Sequence, residues 1–489
     1  MTTPVVAPLA RRPVFSATLV VGVILTVFSA GYGYHRDELY FRMLPNAWGF
    51  VDQPPLTPML AHGFSALFAD ATWAIRIPAT MATMATIVLV ALLTREFGGG
   101  RGAQTLSAWG YASASIPMIM GHALLTSTID LPVWPAIVLF IARAILRDQP
   151  RWWLAAGAVV GISLYNKLLV AVLLVALAVG VLLVGPRRLL VSRWVLGATA
   201  LALVIGSPNL IYQATHGWPQ FKMGRALARN NGSDVRILMW PFLIIMLGPP
   251  LIALWIAGLR WLWQQPALRF IAAGFPVLLV LVFVMGAQFY YPFGLQVVLY
   301  AAGCVPAARW LAHRRGWRTA MVVGIAVNAA VSLLIALPLV PVSTLSDTPI
   351  PGINQVARDS IGWPRYVGQI AEVYARVPSV ERPRTIVYAS NYGEAGAVDR
   401  YGGQFALPRV YSGQNALHFV AEPPSAATTV VFVGGQYDDA RPLFTSCRVE
   451  THLDDGVGVD NEEQGEPVAI CRDPIGGWRR VWPKLAHLD

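Results

Sequence analysis

Long apolar runs recur along the first 340 residues and stop abruptly at Pro341. Each is closed by charged or turn-forming residues, the pattern of helices that cross a bilayer. The runs fall at approximately 14–33, 72–93, 103–121, 129–146, 152–165, 168–184, 194–212, 237–259, 268–286, 291–308 and 319–340. They predict a polytopic all-α membrane region of about eleven transmembrane helices, with ends good to a few residues. The first run leads directly into further spans and lacks a small-residue cleavage site, which argues against a cleaved signal peptide.

The stretch 152–184 can be drawn as one long span or as a hairpin. Arginines cluster at Arg11/Arg12, Arg95/Arg101, Arg143/Arg147/Arg151, Arg187/Arg188/Arg193, Arg260/Arg269 and Arg309/Arg314/Arg315/Arg318, at every second connection. Such connections are expected on the cytoplasmic side. Two short helices turning at Tyr165-Asn166-Lys167 keep the clusters on both sides of this stretch cytoplasmic, so the hairpin is expected. The N-terminus then lies inside and the C-terminal tail outside. Lys167 falls near the outer surface, as a site residue or as a lysine snorkelling to the interface.

Beyond Pro341 the pattern changes. A Pro-, Ser- and Thr-containing linker separates a transmembrane domain, 1–344, from an extracytoplasmic soluble α/β domain, 345–489. In that tail a helix is expected over 366–377 and short buried strands over 384–390 and 428–434. The stretch NYGEAGAVDRYG at 391–402 reads equally well as Gly-rich turn chemistry or as a binding loop, and its glycine spacing is not that of a dinucleotide fingerprint.

Charge sharpens this division. Residues 1–344 hold 24 Lys and Arg against 8 Asp and Glu, whereas 345–489 hold 13 against 18. The excess basic charge lies between spans rather than on a soluble face, so nucleic acid is excluded as a partner. The eight carboxylates of the apolar region are Asp37, Glu38, Asp52, Asp70, Glu96, Asp130, Asp148 and Asp234, and each needs a reason to be near lipid. Asp37 and Glu38 directly follow the first span, either as site residues or as part of a wet interfacial loop. The loop 213–236 carries Lys222, Arg225, Arg229 and Arg236 on the expected outer face, against the usual charge bias. It suits an anionic ligand such as a lipid phosphate, or lipid headgroups in general. Of the many interfacial aromatics, Tyr290 and Tyr291 beside Pro292 have the best claim to line a sugar or phosphate site. No His or Cys shows metal-ligand spacing. A magnesium or manganese ion bound by carboxylates, for instance by Glu38 beside Asp37, is compatible with the composition. Cys304 lies in a span and reads as a packing residue, while Cys447 and Cys471 fall in the exterior tail, where a disulfide can form.

The ordered segments RDELY…WGFVDQPPL, LLTSTIDLPVW, RWWLAAGAVVGISLYNKLL, SPNLIYQATHGWP and FYYPFGLQVVLYAAG resemble the bacterial GT-C glycosyltransferases of the protein O-mannosyltransferase-like and aminoarabinose-transferase-like group. The likeness covers about 14–310. It implies transfer of a sugar from a polyprenyl-phosphate donor on the outer side of the cell membrane. It also implies that Asp37 is the base with Glu38 completing the pair, and that Asp130 and Lys167 match acidic and basic positions of the group. Where the aminoarabinose transferases carry a lysine before Pro-Pro-Leu, this chain has Gln53. An amide cannot neutralise a phosphate, so that duty passes to Arg36, Lys167 or the 213–236 loop.

The chemistry agrees with the resemblance. A phosphate is a good leaving group, so transfer needs a base for the acceptor hydroxyl and positive charge for the departing phosphate. Direct displacement inverts the anomeric centre. The expected catalytic residues are Asp37, Glu38 and Asp130. The expected donor-phosphate residues are Arg36, Lys167, Lys222, Arg225, Tyr290 and Tyr291. The acceptor can be a glycan, a lipid or a protein hydroxyl. A lipid or sugar transporter or flippase is the main rival, although no internal repeat is evident. A membrane-anchored scaffold whose tail holds the function is the third.

Overall fold

The computed structural model describes residues 6–286 and 288–489. The chain divides into two compact units. The first takes in the chain up to Phe28 with Gln53–Leu56 and Arg76–Ala336, and the second comprises Ser29–Asp52, Thr57–Ile75 and Leu337–Asp489. This division differs from the boundary drawn from sequence, 1–344 against 345–489, in two respects: most of the first polar loop clusters with the C-terminal chain, and that chain joins the second unit from Leu337.

The first unit is helical, as its apolar runs dictate. Among the described residues five helices are long and apolar enough to cross a membrane by length and composition: Thr72–Glu96, Thr126–Leu146, Arg193–Thr215, Phe293–Ala312 and Arg315–Ala336. Shorter apolar helices occupy Trp152–Ser163, Val170–Val184 and Arg269–Met285. The stretch 152–184 is thus two helices rather than one. Two other expected single helices are broken. Residues 237–259 fall in Gly232–Ile245 and Pro249–Trp263, bent by 76°. Gly248 sits between them at φ +96° and is followed by Pro249-Pro250, which lack amide protons to continue the ladder. The stretch 103–121 divides into Arg101–Ala112 and Ser115–Gly121.

A broken helix inside an apolar bundle exposes carbonyls that must be satisfied internally. Asn328 does this for both breaks, since its Nδ2 donates to Ser113 O at 3.0 Å and to Leu247 O at 2.9 Å. Helix packing is closest between Ile252–Gln264 and Phe293–Ala312. A Cβ on Gly258 would lie 1.7 Å from Leu299 O and one on Gly303 1.7 Å from Leu254 O, so only glycine allows this crossing. Glu96, 6% exposed, is also accounted for: Arg147 donates to both its oxygens at 2.5 and 2.7 Å, and Arg143 adds a third bond at 3.3 Å.

The second unit contains a five-stranded sheet. Its strands are β1 (Thr385–Ala389), β2 (Val410–Ser412), β3 (Thr429–Val433), β4 (Phe444–His452) and β5 (Pro467–Pro474). The spatial order is β2-β1-β3-β5-β4, parallel among β1, β2 and β3 and antiparallel at β3/β5 and β4/β5. Every residue of β1 and β3 is buried, which is why both read as unbroken apolar runs rather than alternating ones. The expected helix is present at Trp363–Ala375. Cys447 and Cys471 face each other across β4 and β5 and form a disulfide.

Candidate active site

In the second unit, Asp37 lies in the first turn of the helix Arg36–Met43. That helix starts with a capping box: the His35 ring accepts the Asp37 N–H, and Glu38 accepts the His35 N–H at 2.8 Å. Glu38 is fully buried in this role, whereas Asp37 is partly exposed. Adjacent residues on a helix diverge, and the two carboxylates have different duties.

The Asp37 Oδ1 accepts the Tyr392 hydroxyl at 3.0 Å. Tyr392 opens the helix Tyr392–Tyr401, so the stretch 391–402 is a capped helix rather than a Gly-rich turn. Asn391 and Glu394 form its own capping box. Its glycines serve helix packing, since a Cβ on Gly396 would meet the Leu39 backbone at 2.7 Å and one on Gly393 the Trp363 ring at 2.8 Å. The Arg36 guanidinium, buried at 6% exposure, stacks 4.6 Å from the Tyr392 ring centroid and is ion-paired with Glu462, with Asp359 at 4.0 Å. Its charge therefore has acidic partners within this unit. The Tyr40 ring lies 4.7 Å from that of Tyr392, and its hydroxyl donates to Asp52 at 3.0 Å. Burial pushes the Tyr392 phenol well up, so it stays a proton donor.

Burial also pushes the Asp52 and Glu463 carboxyls up to about 7 and Glu394 up to about 8. Unfolded carboxylates titrate near 4, so over this range the folded unit holds protons that the unfolded chain has lost. Their contribution to stability is fully present below about pH 4 and is lost as pH rises through 7 to 8. Glu381, held lower by Arg472, weakens the fold only below about pH 4.5, outside this window. Burial holds the His418 and His487 imidazoles below their usual range, which acts in the opposite sense below about pH 6.5. Calorimetry of the purified full chain should therefore show the midpoint of this unit falling between about pH 6.5 and 8.5. A midpoint that rises over that range refutes the assignment.

In the first unit, a pocket is lined by Asp130, Trp134, Lys167, Tyr290 and Tyr291, together with Met120, Ser127 and Phe293. Lys167 reaches it from the turn between Trp152–Ser163 and Val170–Val184. Carbonyls freed by that turn are satisfied locally: Asn209 donates to Leu164 O at 2.7 Å and the Leu56 N–H to Tyr165 O at 2.8 Å. The Asn166 amide then ties the turn to Thr126 O at 2.8 Å, at the start of the helix that carries Asp130. The Lys167 ammonium sits 4.8 Å from the Tyr291 ring centroid and 5.7 Å from that of Tyr290, a desolvated cation–π arrangement. Asp130 Oδ1 and the Trp134 indole N–H are buried without hydrogen-bond partners. A cation, a carboxylate oxygen and an indole donor meet at this one pocket with hydrogen-bonding capacity that the surrounding helices do not use.

The structure thus brings together Asp130, Lys167, Tyr290 and Tyr291 in the first unit, and places Arg36, Asp37 and Glu38 in the second. Lys222 and Arg225 do not line the pocket and are exposed on the helix Pro219–Asn230. Among the described residues no group of three or more His, Cys, Asp or Glu is arranged to hold a metal ion. Glu38 accepts the His35 N–H through Oε2 as part of its cap. Trp134 and Tyr392 were not singled out from sequence. Trp134 lay within an apolar run, and Tyr392 acquires significance only through a partner 355 residues away.

This helical bundle, with its lysine-bearing pocket and small sheet-containing unit, has the fold of the GT-C glycosyltransferases. Residues 52–212 match the family model described as dolichyl-phosphate-mannose-protein mannosyltransferase, a segment that includes Asp130 and Lys167 but begins after Asp37. The chain is similar in structure to ArnT from Cupriavidus metallidurans bound to undecaprenyl phosphate, with a TM-score of 0.59 and 16% identity over 94% of this chain and 97% of that one. Apo ArnT from the same organism aligns over the same shares at a TM-score of 0.55 and 15% identity. No curated protein sequence matches the chain.

Proposed function

We propose that the chain is a multi-pass cell-membrane glycosyltransferase that moves a sugar from a polyprenyl-phosphate donor to an extracytoplasmic acceptor hydroxyl, with inversion. The N-terminus is cytoplasmic and the sheet-containing unit extracytoplasmic, in keeping with the alternating arginine clusters. The observation that carries the reading is the pocket of Lys167, Tyr290, Tyr291 and Asp130, since the buried Glu96 of the same unit is by contrast neutralised by Arg143 and Arg147. An ammonium held by aromatic faces and facing a carboxylate with an unpartnered oxygen suits a ligand that brings its own negative charge. A polyprenyl phosphate is such a ligand, and the likeness to an ArnT structure that binds undecaprenyl phosphate supports it.

In the proposed reaction Asp37 takes the proton from the acceptor hydroxyl as its oxygen attacks the anomeric carbon. The bond from that carbon to the phosphate oxygen breaks, and the electron pair leaves on the polyprenyl phosphate, whose charge Lys167 stabilises. The leaving group needs no proton, because a phosphate diester oxygen departs as a stable anion. No covalent sugar–enzyme intermediate is required.

The sharply bent pair Gly232–Ile245 and Pro249–Trp263 favours the transporter reading, since interrupted helices line many transport sites. The full chain reconstituted in liposomes with a labelled polyprenyl-phosphate sugar and an envelope extract separates the two. Appearance of free polyprenyl phosphate together with a labelled acceptor of opposite anomeric configuration is expected. Movement of intact donor between leaflets without cleavage overturns the enzyme reading.

A further inference from the structure

We infer that Tyr392 is a positioning residue for Asp37, holding one carboxylate oxygen so that the other faces the acceptor hydroxyl. The inference rests on Asp37 being the base. Packing alone does not explain a tyrosine here. The ring is already clamped, by the Arg36 guanidinium 4.6 Å from its centroid and by Tyr40 at 4.7 Å, and a phenylalanine would serve those contacts equally. What phenylalanine lacks is the hydroxyl, and that group makes a single hydrogen bond, to Asp37 Oδ1 at 3.0 Å.

The clamp is itself anchored. The Tyr392 N–H donates to Gln414 Oε1 at 2.6 Å, the Arg36 N–H donates to Asp359 O at 3.2 Å, and Glu462 pairs with the Arg36 guanidinium. Tyr40 is fixed at its hydroxyl between Asp52 and the Ala416 N–H. Asp37 thus meets a phenol fixed through its ring and its backbone, while its Oδ2 makes no hydrogen bond to another described residue. A carboxylate with one oxygen bound and the other open has a defined direction for proton acceptance, which geometric preorganisation requires. The charged and titratable groups around this pair are His35, Arg36, Glu38, Tyr40, Asp52, Asp359, Glu462 and Glu463. All remain when only the phenolic oxygen is removed.

The test is Tyr392→Phe in the full-length protein, assayed for transfer across pH with its thermal midpoint measured in parallel. A hydrogen bond donated to a carboxylate favours its charged form, so its loss makes the proton harder to release. The expected result is a fall in kcat of about 10-fold and a shift of the acid limb of the kcat profile upward by about one pH unit, the scale of one charge-assisted hydrogen bond. The donor KM and the thermal midpoint should not change. An unshifted acid limb with unchanged kcat overturns the inference, as does a loss of activity that follows a lowered midpoint. Asp37→Asn is assayed beside it. Loss of transfer there with no shift in Tyr392→Phe removes the positioning role alone, whereas retained transfer in Asp37→Asn removes the base and the positioning role together. In the double variant, Tyr392→Phe should add nothing to Asp37→Asn, because both act on one group.

Discussion

Replacing Asp37 with Asn is expected to lower turnover by about 10²–10⁴-fold, the range contributed by a general base. The amide keeps the shape of the carboxylate, and its oxygen still accepts the Tyr392 hydroxyl, so the fold and the donor affinity should persist. What it cannot do is take the acceptor's proton. The measurement is transfer rate with saturating donor, alongside the thermal midpoint and the binding of labelled polyprenyl phosphate. Glu38→Gln is the appropriate control, since glutamine also serves at the third position of a capping box. A larger loss of kcat in Glu38→Gln than in Asp37→Asn, at an unchanged midpoint, means that the base is the wrong carboxylate. Near-normal turnover in Asp37→Asn removes the base altogether.

Lys167→Met carries the second large effect and acts on binding as well as on rate. A charge-assisted contact to phosphate is worth about 1.5–3 kcal/mol, so donor affinity should fall by roughly 10- to 150-fold. Inhibition by free polyprenyl phosphate should weaken in parallel, because product and donor present the same phosphate. The thioether keeps the length of the lysine stem and lies well against Tyr290 and Tyr291, but it leaves Asp130 without the cation that shares its pocket. Lys167→Arg keeps the charge and should recover part of the donor affinity. Unchanged inhibition by polyprenyl phosphate in Lys167→Met, with the protein folded, excludes this pocket as the phosphate site.

The two variants report on different terms of the reaction. Asp37 acts where a proton moves, so its loss appears in kcat. Lys167 acts on a charge that is present in the bound donor and grows as the phosphate departs, so its loss appears in both kcat and KM. Equal effects of both variants on donor affinity contradict the division of labour proposed here.

By itself the sequence determined the elements whose signal is local. Bilayer thickness sets a minimum apolar length, so runs such as 194–212 and 319–340 are legible without any knowledge of their neighbours. Burial on both faces of a parallel sheet demands unbroken apolar residues, which exposed β1 and β3 in the same way. The turn at Tyr165-Asn166-Lys167 was legible from charge, because a single span would have placed two arginine clusters on opposite faces. Only the tertiary structure decided which polar residues are committed and which are open. Asp37 and Glu38 are neighbours of like chemistry, yet one caps a helix and the other meets Tyr392. Arg36 is paired with acids from near the end of the chain, and the glycines of 391–402 are spaced for contact with Leu39 and Trp363. These are long-range contacts in which both partners are individually unremarkable, and a hydrogen bond leaves no periodicity in the sequence from which it could be read. Asp130 stands out for the opposite reason: a buried carboxylate oxygen without a partner is visible only after every neighbour has been placed.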